Sequence, residues 1–286
     1  MHIGLNMAFP QSSGNITDVA LLAEDLGFES IWLPEHPIMP VHTNSKYGGT
    51  PDGSIPDYMS DLPDPYIMLG MASSVTKSLK LGTGISLIPE RNPLILAKTI
   101  SALDLYSQGR FLLGVGGGWL REETEIMGGD FDHRWSQIKE SILSMKELWT
   151  KDEASFKGNH YNFPPVKCYP KPFQKPHPPI LLGGSSNRVY QRVVEYADGW
   201  IPVGLTLDQV KQGMSRLIAL SEKSQRDPHS ISVTVYGQPP DLSILEAWRK
   251  IGVNRVIVRL STTKDGEFIA EVSREISRMA RGILLR

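Results

Sequence analysis

Eight short apolar runs, each followed by a stretch of helical periodicity, alternate along this chain and leave few folds open to it. The runs are His2–Ala8, Glu29–Leu33, Leu79–Leu87, Phe111–Val115, Pro179–Leu182, Gly199–Val203, Ser230–Tyr236 and Arg255–Leu260. Between them, Ile16, Val19, Ala20, Ala23 and Leu26 recur at helical spacing after a capping Asn15, and Gly27 supplies the stop. Further helices are expected over Asp64–Thr76, Pro93–Tyr106, Trp135–Trp149, Asn187–Tyr196, Leu207–Lys223, Leu242–Lys250 and Glu267–Leu284. Strands separated by helices pair in parallel, because the chain must cross back before it can lay down the next strand. Eight such units with no break in composition predict one closed (β/α)8 TIM barrel over residues 1–286. A doubly wound sheet would place a dinucleotide-binding turn after the first strand. The Phe9-Pro10-Gln11-Ser12-Ser13-Gly14 loop is not one.

Composition narrows the function. The net charge is −1 and basic residues are scattered, so no electrostatic footprint for nucleic acid or an anionic membrane is present. The single cysteine, Cys168, excludes an internal disulfide and fits a reducing, cytoplasmic setting, and it reads as an inert loop thiol. No apolar stretch is long enough to span a membrane, and the first residues run straight into a strand instead of a signal peptide.

Two connections are too long for simple turns: about 35–64, rich in Pro, Gly and Asp, and about 119–178. Within the second, Ser155–Phe163 reads as a hairpin turning at Gly158-Asn159. Both insertions leave the C-terminal ends of strands, where barrel enzymes build their sites, and are expected to lie over a pocket. Tyr47, Tyr58, Met59 and Trp119 are candidates for an apolar wall.

Candidate chemistry gathers at the same strand ends. Glu35-His36 follows the second strand. Histidine exchanges protons near neutrality, and Glu35 beside it is expected to favour the imidazolium, although a histidine there also serves as a plain hydrogen-bonder. Gly82-Thr83-Gly84-Ile85-Ser86 ends the third run, where glycine marks a bulge, a barrel corner or a close approach to a ligand. Gly116-Gly117-Gly118 ends the fourth and lets backbone approach a flat ring or a phosphate. Glu122 and Glu123 follow at the rim, either as functional carboxylates or as the acidic first turn of a helix. Gly183-Gly184-Ser185 opens the next helix and reads as a phosphate cup, with plain capping by Ser186 or Asn187 as the alternative. No pair of Cys or His has zinc spacing, and neither a Gly-x-Ser-x-Gly elbow nor a Walker loop occurs. His133, His160 and His177 sit alone in polar or Pro-rich context and are expected at the surface.

In their order, these motifs resemble the luciferase-like monooxygenase superfamily, and within it the subgroup of probable F420-dependent oxidoreductases. The resemblance is carried by Leu33–Pro37, Leu81–Ile85, Pro89–Pro93, the Gln108–Glu123 run, Lys175–Ser185 and Ala197–Trp200. It implies a deazaflavin ring in the barrel mouth over a bulge with a cis peptide at Gly84-Ile85. It also implies cofactor contacts from Gly116–Gly118 and Gly183–Ser185, an acid/base neighbourhood at Glu35 and His36, and a carboxylate near the substrate at Glu122 or Glu123. The function so implied is hydride transfer between coenzyme F420 and a small organic substrate, by a homodimer. The alternatives are an FMN-dependent monooxygenase, which needs oxygen and a flavin reductase partner, and a non-catalytic flavin-binding barrel.

Overall fold

A computed structural model describes residues 1–10, 14–260, 274–275, 277–279 and 281–282. The barrel strands are β1 (His2–Asn6), β2 (Ser30–Leu33), β3 (Lys80–Thr83) with its continuation β4 (Ser86–Leu87), β5 (Phe111–Gly116), β8 (Ile180–Gly183), β9 (Gly199–Ile201), β10 (Ser232–Gln238) and β11 (Arg255–Arg259). A hairpin, β6 (Ala154–Lys157) with β7 (Asn162–Val166), stands apart. The order β3-β2-β1-β11-β10-β9-β8-β5 closes through β3 against β5, and every neighbouring pair is parallel. This is the closed (β/α)8 barrel expected from the alternation.

Helices α1 (Ile16–Asp25), α2 (Pro65–Val75), α3 (Pro93–Tyr106), α5 (Arg134–Thr150), α6 (Arg188–Tyr196), α7 (Leu207–Lys223) and α8 (Leu242–Lys250) surround the strands. Their starts are written locally. Asn15, Asp64, Asn92 and Asp241 each accept a hydrogen bond from the first-turn N–H groups, and Thr206 and Gln209 form a capping box. Pro65 and Pro93 occupy first helical positions, where no N–H is needed. The expected helix over Glu267–Leu284 falls largely outside the described residues.

Strand burial explains why the runs read as continuously apolar. Side chains on one face fill the lumen: Trp32, Leu112, Leu181, Ile201, Tyr236 and Ile257. Those on the other face, such as Leu5, Ile31, Leu81, Phe111 and Val256, meet the helices. Burying each such side chain is worth about 1.5–3 kcal/mol, so both faces are mostly apolar, with a few hydrogen-bonded polar residues such as Thr83 and Arg255.

Three details bear on the sequence reading. The third run is two short strands, broken at Gly84-Ile85, and this peptide is cis, as the resemblance implied. A short helix α4 (Arg121–Ile126) starts directly at the acidic Glu122-Glu123 pair, as the helix-start alternative anticipated. His177 is not a surface residue. Its side chain is 9% exposed, packs against Trp149 at 5.9 Å and bonds to the Pro178 carbonyl, and burial lowers its pKa. By contrast His133 is exposed and pairs with Asp130, and half-buried His160 bonds to Ser136.

The 35–64 and 119–178 connections leave β2 and β5 at the same end of the barrel, and the hairpin belongs to the second. Its turn is held by Glu140 of α5, which accepts from the N–H groups of Asn159, His160 and Tyr161.

Candidate active site

Glu35 and His36 leave β2 side by side in sequence, but their side chains part. Glu35 is 3% exposed and turns into the wall. It accepts from Ser86 Oγ at 2.7 Å, the Leu87 N–H at 2.7 Å and Arg91 Nε at 2.5 Å, and a second Arg91 nitrogen also contacts it. Tyr66 donates to the same Ser86 hydroxyl, and Arg91 reaches on to Asp64 at the cap of α2. Glu35 therefore ties the end of β2 to β4 and to the approach to α3. Its carboxylate is bonded to these groups and not to His36.

The carboxylate that meets His36 comes from 87 residues away. His36 Nδ1 lies 2.8 Å from Glu123 Oε2. An ionised carboxylate only accepts, so Nδ1 carries the hydrogen and Nε2 is left for the cavity. Glu123 is fully buried, in the first turn of α4. The edge of Trp119 braces the imidazole, with ring centroids 5.9 Å apart.

Glu122 faces the other way. It accepts from the Asn44 N–H at 2.6 Å, the Ser45 N–H at 3.2 Å and the Ser45 hydroxyl at 2.7 Å. The Ser45 hydroxyl and the Asn44 N–H hold its pKa down to about 2. Of the two rim carboxylates, Glu122 pins the 35–64 insertion and Glu123 holds the histidine. Tyr47, from that insertion, packs on Trp119 at 5.2 Å.

These groups border a cavity of about 680 Å³ whose lining includes Gly84, Ile85, Gly116, Gly117, Gly118, Gly183 and Gly184. Tyr47, Tyr58, Met59 and Trp119, the expected wall, line it too. Bare backbone on one side and aromatic rings on the other suit a flat polycyclic ligand, and the volume is that of a cofactor site. At Gly84 a side chain has no room: a Cβ would strike the hydroxyl of Tyr236, which donates to the Gly84 carbonyl at 2.7 Å.

The cup after β8 also has its features. Gly184 has φ +130°, a conformation that side chains rarely adopt. Ser185 lies in the turn to α6 and is absent from the cavity lining. No side chain caps α6, and Asn187 instead accepts from Arg216. The capping alternative fails: the Val189 N–H donates to the Ser186 carbonyl, and no described side chain takes up the other first-turn N–H groups, where an anion is favoured. Behind Gly117, Arg134 Nε is buried without a partner among the described residues. Burial and the nearby Arg121 lower the Arg134 pKa.

Sequence reasoning missed Glu90, Arg91, Trp135, Tyr236 and Arg259, all of which line this cavity or the smaller one behind His36. For Glu90 and Arg91 a signal existed: both lie in the Pro-Glu-Arg-Asn-Pro motif, which carried no assigned role. Among the described residues no group of His, Cys, Asp and Glu is arranged to hold a metal ion. No described helix is long and apolar enough to cross a membrane.

Comparison with known proteins fits this site. The family profile described as luciferase-like monooxygenase matches residues 2–264. Uncharacterized protein Rv0953c of Mycobacterium tuberculosis is 33% identical over 285 residues, covering 98% of this chain and 99% of the relative. An F420-dependent glucose-6-phosphate dehydrogenase of Amycolatopsis mediterranei is 29% identical over 174 residues, 59% of this chain and 47% of its own. An FMNH(2)-dependent dimethylsulfone monooxygenase of Pseudomonas putida is 29% identical over 147 residues, 50% and 40% of the two chains. Among solved structures, monooxygenase RslO1 from Streptomyces bottropensis superposes with TM-score 0.81 at 20% identity, over 99% of both chains. An F420-dependent secondary alcohol dehydrogenase superposes with TM-score 0.74 at 18% identity, over 98% of this chain and 99% of that one. The relatives thus include users of F420 and of FMN. A closed barrel, a glycine-walled cavity at its strand ends and a match along most of its length lead to one conclusion: this chain belongs to the luciferase-like monooxygenase family of oxidoreductases.

Proposed function

We propose that this protein is an F420-dependent oxidoreductase that moves a hydride between the deazaflavin and a small organic substrate. The observation that carries this reading is the His36–Glu123 pair on the wall of the glycine-lined cavity. Bound there, a deazaflavin supplies a carbon that accepts or delivers hydride. The chain must then move the accompanying proton. His36 is the residue for that work: a buried carboxylate fixes its tautomer, and Trp119 restricts its tilt. Gly84, Ile85 and Gly116–Gly118 would bear on the ring. Gly183, Gly184 and the start of α6 would hold the phosphate. Ser185 would contribute from the rim, and Glu122 holds the 35–64 insertion in place.

The substrate faces Tyr47, Tyr58, Met59 and Trp119, a mostly apolar wall, so a small molecule with one oxygen function in reach of His36 suits it. Ile67 and Met71 on α2 and Ile95 on α3 are exposed apolar residues on adjacent helices, and they suit a homodimer contact.

Equilibrium titration of the purified protein with F420 and with FMN tests the cofactor. F420 is expected to bind more tightly. Micromolar FMN binding with none for F420 overturns the reading in favour of an FMN monooxygenase served by a reductase. Binding of either with no turnover of any alcohol, aldehyde or imine favours a non-catalytic barrel. In the same titration Gly184→Val is expected to remove cofactor binding while circular dichroism stays unchanged, because valine is strained at φ +130° and shields the cup. Unchanged affinity in the folded variant removes the phosphate-cup assignment.

A further inference from the structure

Behind His36 lies a feature that the cofactor does not explain. Glu90, from the segment between β4 and α3, is 4% exposed. Its Oε1 accepts from Thr124 Oγ1 at 2.9 Å. Its Oε2 is buried with no partner. Thr124 follows Glu123 in α4, and Glu123 shows the same deficit: Oε2 meets His36, and the buried Oε1 has no partner. Two buried carboxyl groups, brought together by α4, each leave one oxygen unsatisfied. Two carboxylates cannot relieve this, because both only accept. A proton on one of them does, by turning an acceptor into a donor.

The surroundings decide which oxygen carries it. Facing Glu90 are Glu123 and Thr124 from α4, Glu35 from the end of β2, and Arg91 from its own segment. Arg91 is already committed to Glu35 and Asp64. Glu123 accepts from the imidazole N–H of His36, whereas Glu90 accepts only from the hydroxyl of Thr124. Burial, and then the negative charge of Glu123, push the Glu90 pKa up to about 8.

We propose that Glu90 and Glu123 share one proton and act as a proton store that fills and empties the His36 imidazole. Glu90 and Glu123 are positioning residues in this scheme, and only His36 meets the substrate. When a substrate hydroxyl gives up its proton, an N–H bond forms at His36 Nε2 and the Nδ1–H bond breaks toward Glu123 Oε2. The pair then holds two protons, and Glu90 returns one to water, directly or through a bridging water. A second cavity, of about 390 Å³, is lined by both Glu90 and His36 together with Arg91, Asn92 and Thr99, and it gives that proton a way out that avoids the substrate cavity. The reverse sequence serves reduction. One proton moves through and no electrons change hands in the pair.

The use of the store in catalysis rests on the reading of His36 given above, but the shared proton does not, so it is tested on the protein without ligand. Infrared difference spectra of the full chain, recorded across a pH titration, report neutral carboxyl groups by their carbonyl stretch. One neutral carboxyl is expected to persist at pH 7 and to disappear with a midpoint near 8. Glu90→Gln should delete that band, with the amide still able to donate to Glu123. Glu123→Gln should keep the band but lower its midpoint by about one pH unit, since a close like charge is gone. Absence of a neutral carboxyl at pH 7, its survival in Glu90→Gln, or an unmoved midpoint in Glu123→Gln would each overturn the proposal.

Stability supplies a second readout. The folded pKa of Glu90 lies above its ordinary 4.5, so its contribution is full below pH 4.5 and fades as pH rises through about 8. The melting midpoint should therefore fall less over that interval in Glu90→Gln than in the parent. In the cofactor-loaded enzyme, Glu90→Gln should also erase any inflection near pH 8 from the pH–rate profile. A failed F420 titration with the infrared band present refutes the cofactor reading and leaves the shared proton standing. An intact titration without the band does the opposite.

Discussion

His36→Ala is expected to slow the hydride step by about 10²–10⁴, the usual cost of losing a general acid/base. That is about 3–5 kcal/mol of barrier at 1.36 kcal/mol per decade. The loss should appear in single-turnover kinetics, with cofactor affinity largely kept, because the glycine wall and the start of α6 are untouched. Alanine also strips Glu123 of its partner in a fully buried setting, which costs stability on its own account. His36→Asn separates the two effects. Its amide can still donate to Glu123, yet it takes up no proton at neutral pH. Both variants should be equally slow, and Asn should melt closer to the parent. If His36→Asn turns over at the parental rate, the histidine serves only to hold the rim together and the catalytic assignment falls.

Arg91→Met should produce the largest loss of stability. Glu35 is almost fully buried and, among the described residues, takes its direct cationic contact from Arg91, although Ser86 and the Leu87 N–H also bond to it. Removing one partner of a buried pair typically costs 3–5 kcal/mol, because the survivor keeps its desolvation penalty. For a chain of this size that corresponds to a fall in the melting midpoint of roughly 10 °C. Pairing Arg91→Met with Glu35→Gln should recover part of the loss, since the stranded charge is gone. A thermal melt of the three variants checks this. A midpoint within about 2 °C of the parent for Arg91→Met would show that Glu35 is not held in the way its contacts imply.

The alternation of strand and helix was legible because barrel strands bury both faces and read as unbroken apolar runs, and because Asn15, Asp64, Asn92 and Asp241 announce helix starts chemically. The long connections and the glycine clusters were legible for the same local reason. What sequence could not show was who meets whom. Glu35 adjoins His36 along the chain, but adjacent residues at a strand end project to opposite sides, and the histidine's partner arrives from α4. Glu90 in Pro-Glu-Arg-Asn-Pro looks like any acidic residue before a helix, and only the closing of β3 and β4 against β5 brings it beneath Gly118, near Thr124. The burial of His177 was hidden likewise, since its Pro-rich setting resembles a surface loop.

The lumen behind the site is stoppered. Trp32, Leu181, Ile201 and Ile257 are at most 1% exposed, and Tyr236 closes over them with its hydroxyl on the Gly84 carbonyl. A molecule cannot pass through the barrel from end to end, so the well has a floor and its ligands share the mouth. A ligand resting on the glycines is therefore expected to bind before the molecule laid over it and to leave after it. Product-inhibition patterns should show this order, first on and last off, because the packing of six lumen side chains closes the far end.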